Sequence, residues 1–232
     1  VRVVVNFLSK LKNLFKELVA LRSAIKEDMQ ALKKLDPSFE LSYQYVFHAG
    51  FQALKLYRLS HVFYLSGFKF AAYLIYHLNR ILYAVDIHPA AHLEPGVVID
   101  HGTGLVIGST SFVGSGTVLY HGVTLGAKYI TTGRRHPTVG KNVVLGAGAK
   151  VLGPIIVGDG AKIGANSVVL IDVPEKATVV GIPAKMIRKI ATNPSNELYS
   201  QDREFYNNHI SEVGDDLCLK ESKDSSMLKE VV

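Results

Sequence analysis

The sequence predicts an α+β chain: an N-terminal all-α helical domain, then a parallel β-helix, then a flexible tail. Three observations carry this. Apolar residues in the first third recur at steps of three or four. Between residues 87 and 169 branched aliphatic residues recur at steps of six instead. After Ile190 neither period continues. The corresponding domains are 1–85, 86–190 and 191–232.

In the first domain Leu8, Leu11, Leu14, Leu18, Leu21, Ile25, Met29, Leu32 and Leu35 form one stripe of an amphipathic helix. Asp36-Pro37 ends it, because proline cannot donate to the helical ladder and the residue before it avoids the α region. Asp36 also suits the N-cap of a following helix, with Pro37 in its first position. Aromatic-rich helices follow through Tyr45, Phe51, Leu54, Tyr57, Val62, Tyr73 and Tyr76. The most apolar run, 68–85, is interrupted by Lys69, His77, Asn79 and Arg80, unlike a membrane span of ~20 residues. The opening "VRVVVNFLSK" reads as a helix lead-in and not a signal peptide, since no small-residue cleavage site follows.

In the second domain Ile87, Leu93 and Ile99 lie six apart. Ile107, Val113, Leu119 and Leu125 continue after a two-residue slip. Val139, Leu145, Val151, Val157, Ile163 and Val169 resume after a 14-residue step. Glycine follows at seven of these thirteen positions: 108, 114, 126, 140, 146, 158 and 164. Neither helical nor alternating-strand periodicity produces a step of six. A parallel β-helix does: each unit is one short strand plus a corner, and three units make a triangular coil of 18 residues. The aliphatic residue fills the interior, and the small residue after it is expected to permit the tight turn. The segment 126–138 breaks the step, so part of it leaves the prism as a loop, where function tends to sit.

Composition narrows the function classes. Apolar residues at 48% and charged residues at 20% fit a globular soluble chain. The one cysteine, Cys218, rules out an intramolecular disulfide and suggests a reducing, cytoplasmic setting. Residues 1–190 hold 22 Lys/Arg against 11 Asp/Glu, whereas 191–232 hold 4 against 9. A basic body suits an anionic ligand. No aromatic-basic nucleic-acid motif accompanies it, so a phosphorylated small molecule is favoured over nucleic acid.

Five histidines lie in or near the coils: His88, His92, His101, His121 and His136. A prism interior takes aliphatic residues, so imidazoles must point outward or sit at corners. His101 lies beside Asp100, and His136 follows Arg134-Arg135 at the base of the loop. Asp86 is 15 residues before His101, short of a full coil, so the two do not stack in register. Asp86 stands where helices meet prism and can reach a neighbouring corner. An imidazole oriented by a carboxylate can act as a general base near its ordinary pKa of ~6.5.

The quoted pieces resemble a known family. Residues 86–190 resemble hexapeptide-repeat acyltransferases, and 31–190 more narrowly the serine O-acetyltransferases. The pieces are "LDP" at 35–37, "GFQALKLYRLSH" at 50–61, "DIHPAA" at 86–91, "IDHGTG" at 99–104, "GVTLG" at 122–126, "RRHPTVG" at 134–140, "GAGAKVLGPIIVGD" at 146–159, "KIGANSVVLIDVP" at 162–174 and "VVGIPAK" at 179–185. The resemblance implies a left-handed β-helix. It also implies acetyl transfer from acetyl-CoA to the hydroxyl of L-serine, giving O-acetylserine for cysteine biosynthesis, with no metal. By the same resemblance His101 is the base and Asp86 its orienting carboxylate. Asp36 and Asp100 lie near the ammonium of serine, and Arg135 and His136 near its carboxylate, which suits a guanidinium fork. Coenzyme A lies along small residues at Gly126, Ala127, Gly146, Ala147 and Ala165, with Lys150 and Lys162 near its phosphates. Trimers, or dimers of trimers, are implied.

Three departures from the family pattern stand out. Ser109 in "IGSTS" replaces a usual glutamate. Gly126-Ala127 replaces Gly-Gly before the loop "KYITTG". The chain ends Val231-Val232 where many relatives end in an isoleucine that inserts into O-acetylserine sulfhydrylase, which weakens the expectation of that complex. Other readings are a hydroxyl acceptor other than serine, a non-catalytic scaffold, and a zinc lyase of the γ-carbonic anhydrase type. The zinc lyase uses three histidines, and Lys141 and Asn142 occupy the place of its third.

Overall fold

The computed structural model describes residues 2–35 and 43–187. The Asp36-Pro37 helix break, Cys218 and the tail 191–232 lie outside the described residues. Four helices come first: α1 (Arg2–Leu35), α2 (Gln44–Phe47), α3 (Ala49–Leu65) and α4 (Lys69–Tyr83). Fifteen strands of two or three residues follow. No described helix is long and apolar enough to cross a membrane.

The strands stack into a left-handed parallel β-helix of about five turns. Its first face is β1 (Asp86–Ile87), β4 (Val106–Ile107), β7 (Thr124–Gly126), β10 (Lys150–Leu152) and β13 (Val168–Val169). The second face is β2 (His92–Leu93), β5 (Phe112–Val113), β8 (Thr138–Val139) and β11 (Ile156–Val157). On the third lie β3 (Val98–Asp100), β6 (Val118–Tyr120), β9 (Val144–Leu145), β12 (Lys162–Ile163), β14 (Thr178–Val180) and an antiparallel last strand, β15 (Lys185–Met186).

All thirteen aliphatic repeat positions are buried, none more than 3% exposed. The coils also bury a second residue two places earlier, at the corner. These are small or β-branched in most coils: Ala91, Val97, Ser111, Thr117, Val123, Val143, Ala149, Ala161 and Ser167. Such residues fill the apex of a triangle where a larger side chain cannot fit.

The seven glycines after the aliphatic positions are required for a reason other than turn geometry. None of them has a positive φ. A Cβ on each would instead meet an atom of the next turn at under 3.0 Å; at Gly146 that atom is the backbone nitrogen of Ala165, 2.6 Å away. The left-handed corner positions are other residues, such as Gly116 (φ 71°) and Asn142 (φ 54°), where a Cβ is costly or a short polar side chain is tolerated.

Coil length varies at two places. Val106 pairs with Thr124 and Lys150 with Val168, both 18-residue steps. Asp86 pairs with Val106, a step of 20, and Thr124 with Lys150, a step of 26. The first excess falls in 101–105 and the second in the loop 127–137. Tyr129 and Ile130 at the loop's tip are exposed.

A buried ion pair joins α1, α3 and the first coil. The Arg58 Nε and Nη2 donate to Asp28 at 2.5 and 2.8 Å. The other Asp28 bond comes from the Gly96 amide at 2.8 Å, and Arg58 also donates to the Leu93 and Glu94 carbonyls. Gly50 on α3 sits so close to the coil that a Cβ would lie 2.1 Å from the Ile99 carbonyl oxygen. Removing one partner of a buried, fully bonded pair costs about 3–5 kcal/mol. Asp28→Ala should therefore lower unfolding stability by about that amount in a urea titration; an unchanged midpoint would show that the pair does not clamp the helices.

Candidate active site

The predicted site residues fall into two groups on different edges of one prism. The first group lies where the third face turns into the first. His101 follows β3 in a left-handed conformation (φ 61°). Histidine is one of the few non-glycine residues found there, and such outliers concentrate at functional positions. The strained turn pushes the imidazole into solvent, with the side chain 76% exposed. Its Nε2 is 3.7 Å from Asp100 Oδ1, and its ring meets that of His121 edge-on at 6.1 Å.

Below His101 the same edge is built of small residues, coil after coil. Gly122, then Gly146, Ala147 and Gly148, then Gly164 and Ala165 follow one another down it. The Gly148 amide bonds the His121 carbonyl, and the Asn166 amide bonds the Ala147 carbonyl. Three residues expected to line a coenzyme, Gly146, Ala147 and Ala165, thus share one edge with His101. Lys150 is on the first face, its Nζ 2.5 Å from the Gly122 carbonyl oxygen. Lys162 is exposed on the third face. Gly126 and Ala127 are elsewhere, at the end of β7 and the start of the long loop.

The second group lies at the top of the first face and the edge leading to the second. Asp86 points outward from β1, alternating with buried Ile87. Its Oδ1 accepts from the Tyr76 hydroxyl at 2.5 Å, and Arg80 Nε lies 3.4 Å from its Oδ2. The predicted pairing of Asp86 with His101 is not made within the chain: helix α4 engages the carboxylate instead. Tyr76 and Arg80 are four apart on one helix face, so their shared target is a consequence of helical spacing. That spacing was the available signal for both residues, which the sequence reading missed.

His88 is beside them. Its Nδ1 accepts from the Ala90 amide at 3.0 Å, and its Nε2 is 3.3 Å from the Tyr73 hydroxyl. One coil down, His136 is 7% exposed and lies over Gly108, where a Cβ would come within 2.1 Å of its ring. Neighbouring Arg135 is exposed, and its Nη1 donates to the Thr131 carbonyl at 3.0 Å. Asp36, the remaining residue expected to bind the amino acid, lies outside the described residues. His101 and His136 stand on different edges, and no group of three His, Cys, Asp or Glu converges on a metal position among the described residues.

Burial dominates the electrostatics. The Tyr76 phenol is pushed up to about 12 by burial and then by its bond to the Asp86 carboxylate. His88 is lowered by burial and by Arg135, against a raising influence of Asp86. His136 is lowered by burial, then by Arg135 and His88. Both imidazoles are therefore neutral donors at neutral pH.

The fold and site have close counterparts. A family model for the bacterial transferase hexapeptide (six repeats) matches residues 136–170. The serine acetyltransferase of Mycobacterium tuberculosis is 43% identical over 173 residues, covering 74% of this chain and 76% of the relative. The crystal structure of Neisseria gonorrhoeae serine acetyltransferase in complex with serine superimposes with a TM-score of 0.71 at 40% identity, covering 74% of this chain and 72% of that one. The Brucella abortus serine acetyltransferase in complex with coenzyme A gives 0.72 at 39% identity, covering 77% and 72%.

The pKa directions set an acid limit. Because the folded state holds His88 and His136 below their ordinary pKa of 6.5, it binds fewer protons than the unfolded chain on acidification. Their contribution to stability is complete above pH 6.5 and is lost as the pH falls through the folded-state values. Melting temperature should fall between pH 7 and 5, with a shallower fall in His136→Gln. An equally steep fall in that variant would assign the acid sensitivity elsewhere.

Proposed function

The chain belongs to the serine acetyltransferase family, and we propose that it transfers the acetyl group of acetyl-CoA to the hydroxyl of L-serine by direct attack on the thioester. His101 takes the proton of the serine hydroxyl as its oxygen forms a bond to the thioester carbonyl carbon. The carbon–sulfur bond then breaks. The proton passes from the imidazolium to the departing sulfur, leaving O-acetylserine and coenzyme A. Asp100 faces the ammonium of serine together with Asp36, and Arg135 with His136 receives the carboxylate.

The observation that carries this reading is the exposed, left-handed His101 at the head of an edge built from Gly146, Ala147 and Ala165. Small residues let the backbone approach an extended ligand closely, as the pantetheine arm of coenzyme A requires. Lys150 and Lys162 on the flanking faces supply positive charge for its phosphates, in keeping with the basic body of the chain. Gly126, Ala127 and the loop after them border the far side of that path.

The two edges come together in a trimer. The Asp86 edge of one prism faces the His101 edge of its neighbour, so that Asp86 orients the neighbour's imidazole and Arg135 and His136 complete the neighbour's acceptor site. This accounts for an Asp86 carboxylate that has no contact with His101 in its own chain.

Three measurements test the reading. In an assay of thiol release from acetyl-CoA with saturating serine, His101→Ala should lose about 10²–10⁴-fold in turnover with its fold intact; near-normal turnover removes the base. Asp36→Ala should raise the serine requirement, and an unchanged dependence on serine takes Asp36 out of the site. Mixing inactive His101→Ala with inactive Asp86→Ala after dissociation and reassembly should restore activity. No recovery would mean that both residues act within one chain.

A further inference from the structure

Thr110 has a set of bonds that neither the repeat nor the fold requires. It sits in the turn between β4 and β5, two residues after Gly108. Its Oγ1 is 3.1 Å from the Arg135 amide, 3.2 Å from the His136 amide and 2.8 Å from His136 Nδ1. A hydroxyl has two lone pairs and one proton. The two backbone amides can only donate, so they occupy the lone pairs. The hydroxyl proton is then left for Nδ1. The Thr110 amide also points at Nδ1, at 3.2 Å. Two donors on one ring nitrogen leave it no proton of its own, so in the neutral ring the proton belongs to Nε2.

The consequence is geometric as well as chemical. The ring lies against Gly108, where any side chain would displace it. The same hydroxyl that sets the tautomer ties down the two backbone amides that carry Arg135 and His136. Nε2–H makes no hydrogen bond among the described residues. The neighbouring Arg135 is exposed, and one of its terminal nitrogens bonds a loop carbonyl. A neutral donor and a guanidinium are thus held side by side at the base of the long loop.

We propose that Thr110 is a positioning residue for the acceptor amino acid: it fixes His136 as an Nε2–H donor beside Arg135, so that the pair can hold a carboxylate. This rests on the reading that His136 and Arg135 face the carboxylate of serine. Ser109, the neighbouring departure from the family pattern, takes no part in this arrangement. Thr110 carries it through its own side chain and amide.

The test compares Thr110→Val, which keeps the shape and removes the hydroxyl, with Thr110→Ser, which restores it. In Thr110→Val the KM for serine should rise roughly tenfold, the loss expected for weakened hydrogen bonds to a charged group. The KM for acetyl-CoA and the melting temperature should stay near wild type, and Thr110→Ser should return the serine KM. In protein labelled with ¹⁵N-histidine at pH 8, wild-type His136 should show one tautomer with the proton on Nε2. In Thr110→Val the Nδ1 shift should move toward the average of a free, exchanging imidazole. An unchanged His136 spectrum overturns the proposal, and so does an unchanged serine KM. A parallel His136→Asn variant separates the two ideas. If it leaves the serine KM unaltered, the carboxylate reading fails, and the spectrum alone decides whether Thr110 sets the tautomer. Should Thr110→Val not fold, Thr110→Ala is read in the same way.

Discussion

The narrow interior of the prism governs everything else in this molecule. Each face contributes one mid-strand side chain and one corner side chain to a triangular cross-section. Only aliphatic residues fit the first place, and mostly small or β-branched ones the second. The thirteen mid-strand positions are all buried, and their neighbours on either side must point outward. Each turn is also bonded to the next through its backbone, amide to carbonyl. A side chain at a corner therefore stands on a base that cannot tilt. Rigid support of this kind is what a site with demanding geometry needs.

Such a lattice tolerates irregularity only at its corners. The two coils longer than 18 residues take up their excess there, one at 101–105 and the other at 127–137. These are the places where the candidate chemistry is found. The first excess includes His101 in its left-handed turn, and the second ends on Arg135 and His136. An interruption of the repeat and a functional side chain coincide for one reason. Extra residues free the backbone from the ladder, and only a freed backbone can aim a large polar side chain outward.

The helical domain contributes more than a lid on the first coil. Through Asp28 and Arg58 it is anchored to the carbonyls of Leu93 and Glu94 and the amide of Gly96. Through Tyr76 and Arg80 it reaches the outward-facing Asp86. The carboxylate is held at two oxygens by groups from a different domain. Its orientation depends on how α4 sits against the coil, and Ala84, in the left-handed conformation after α4, sets the exit of the chain into β1. The proposed chemistry is therefore located at the seam between the two architectures.

Much of this was legible in one dimension. The step of six revealed the prism, because aliphatic burial at a fixed register leaves a mark in sequence that distance does not blur. The two slips in that step marked His101 and the loop base. The helices before residue 85 were legible from their spacing, and the family motifs pointed to serine acetyltransferase chemistry. What the sequence could not contain was the set of contacts made across turns. The glycines after the aliphatic residues were assigned to tight turns, yet they are needed because the next turn passes within contact distance. Thr110 bonds residues 25 and 26 positions away, and no local pattern marks it. Asp86 and His101 are close in sequence, but the prism points them from different edges. Sequence by itself determined which residues face inward, since burial follows periodicity. Tertiary structure alone decided which outward residues meet, since that depends on coil length and on the helix packed above.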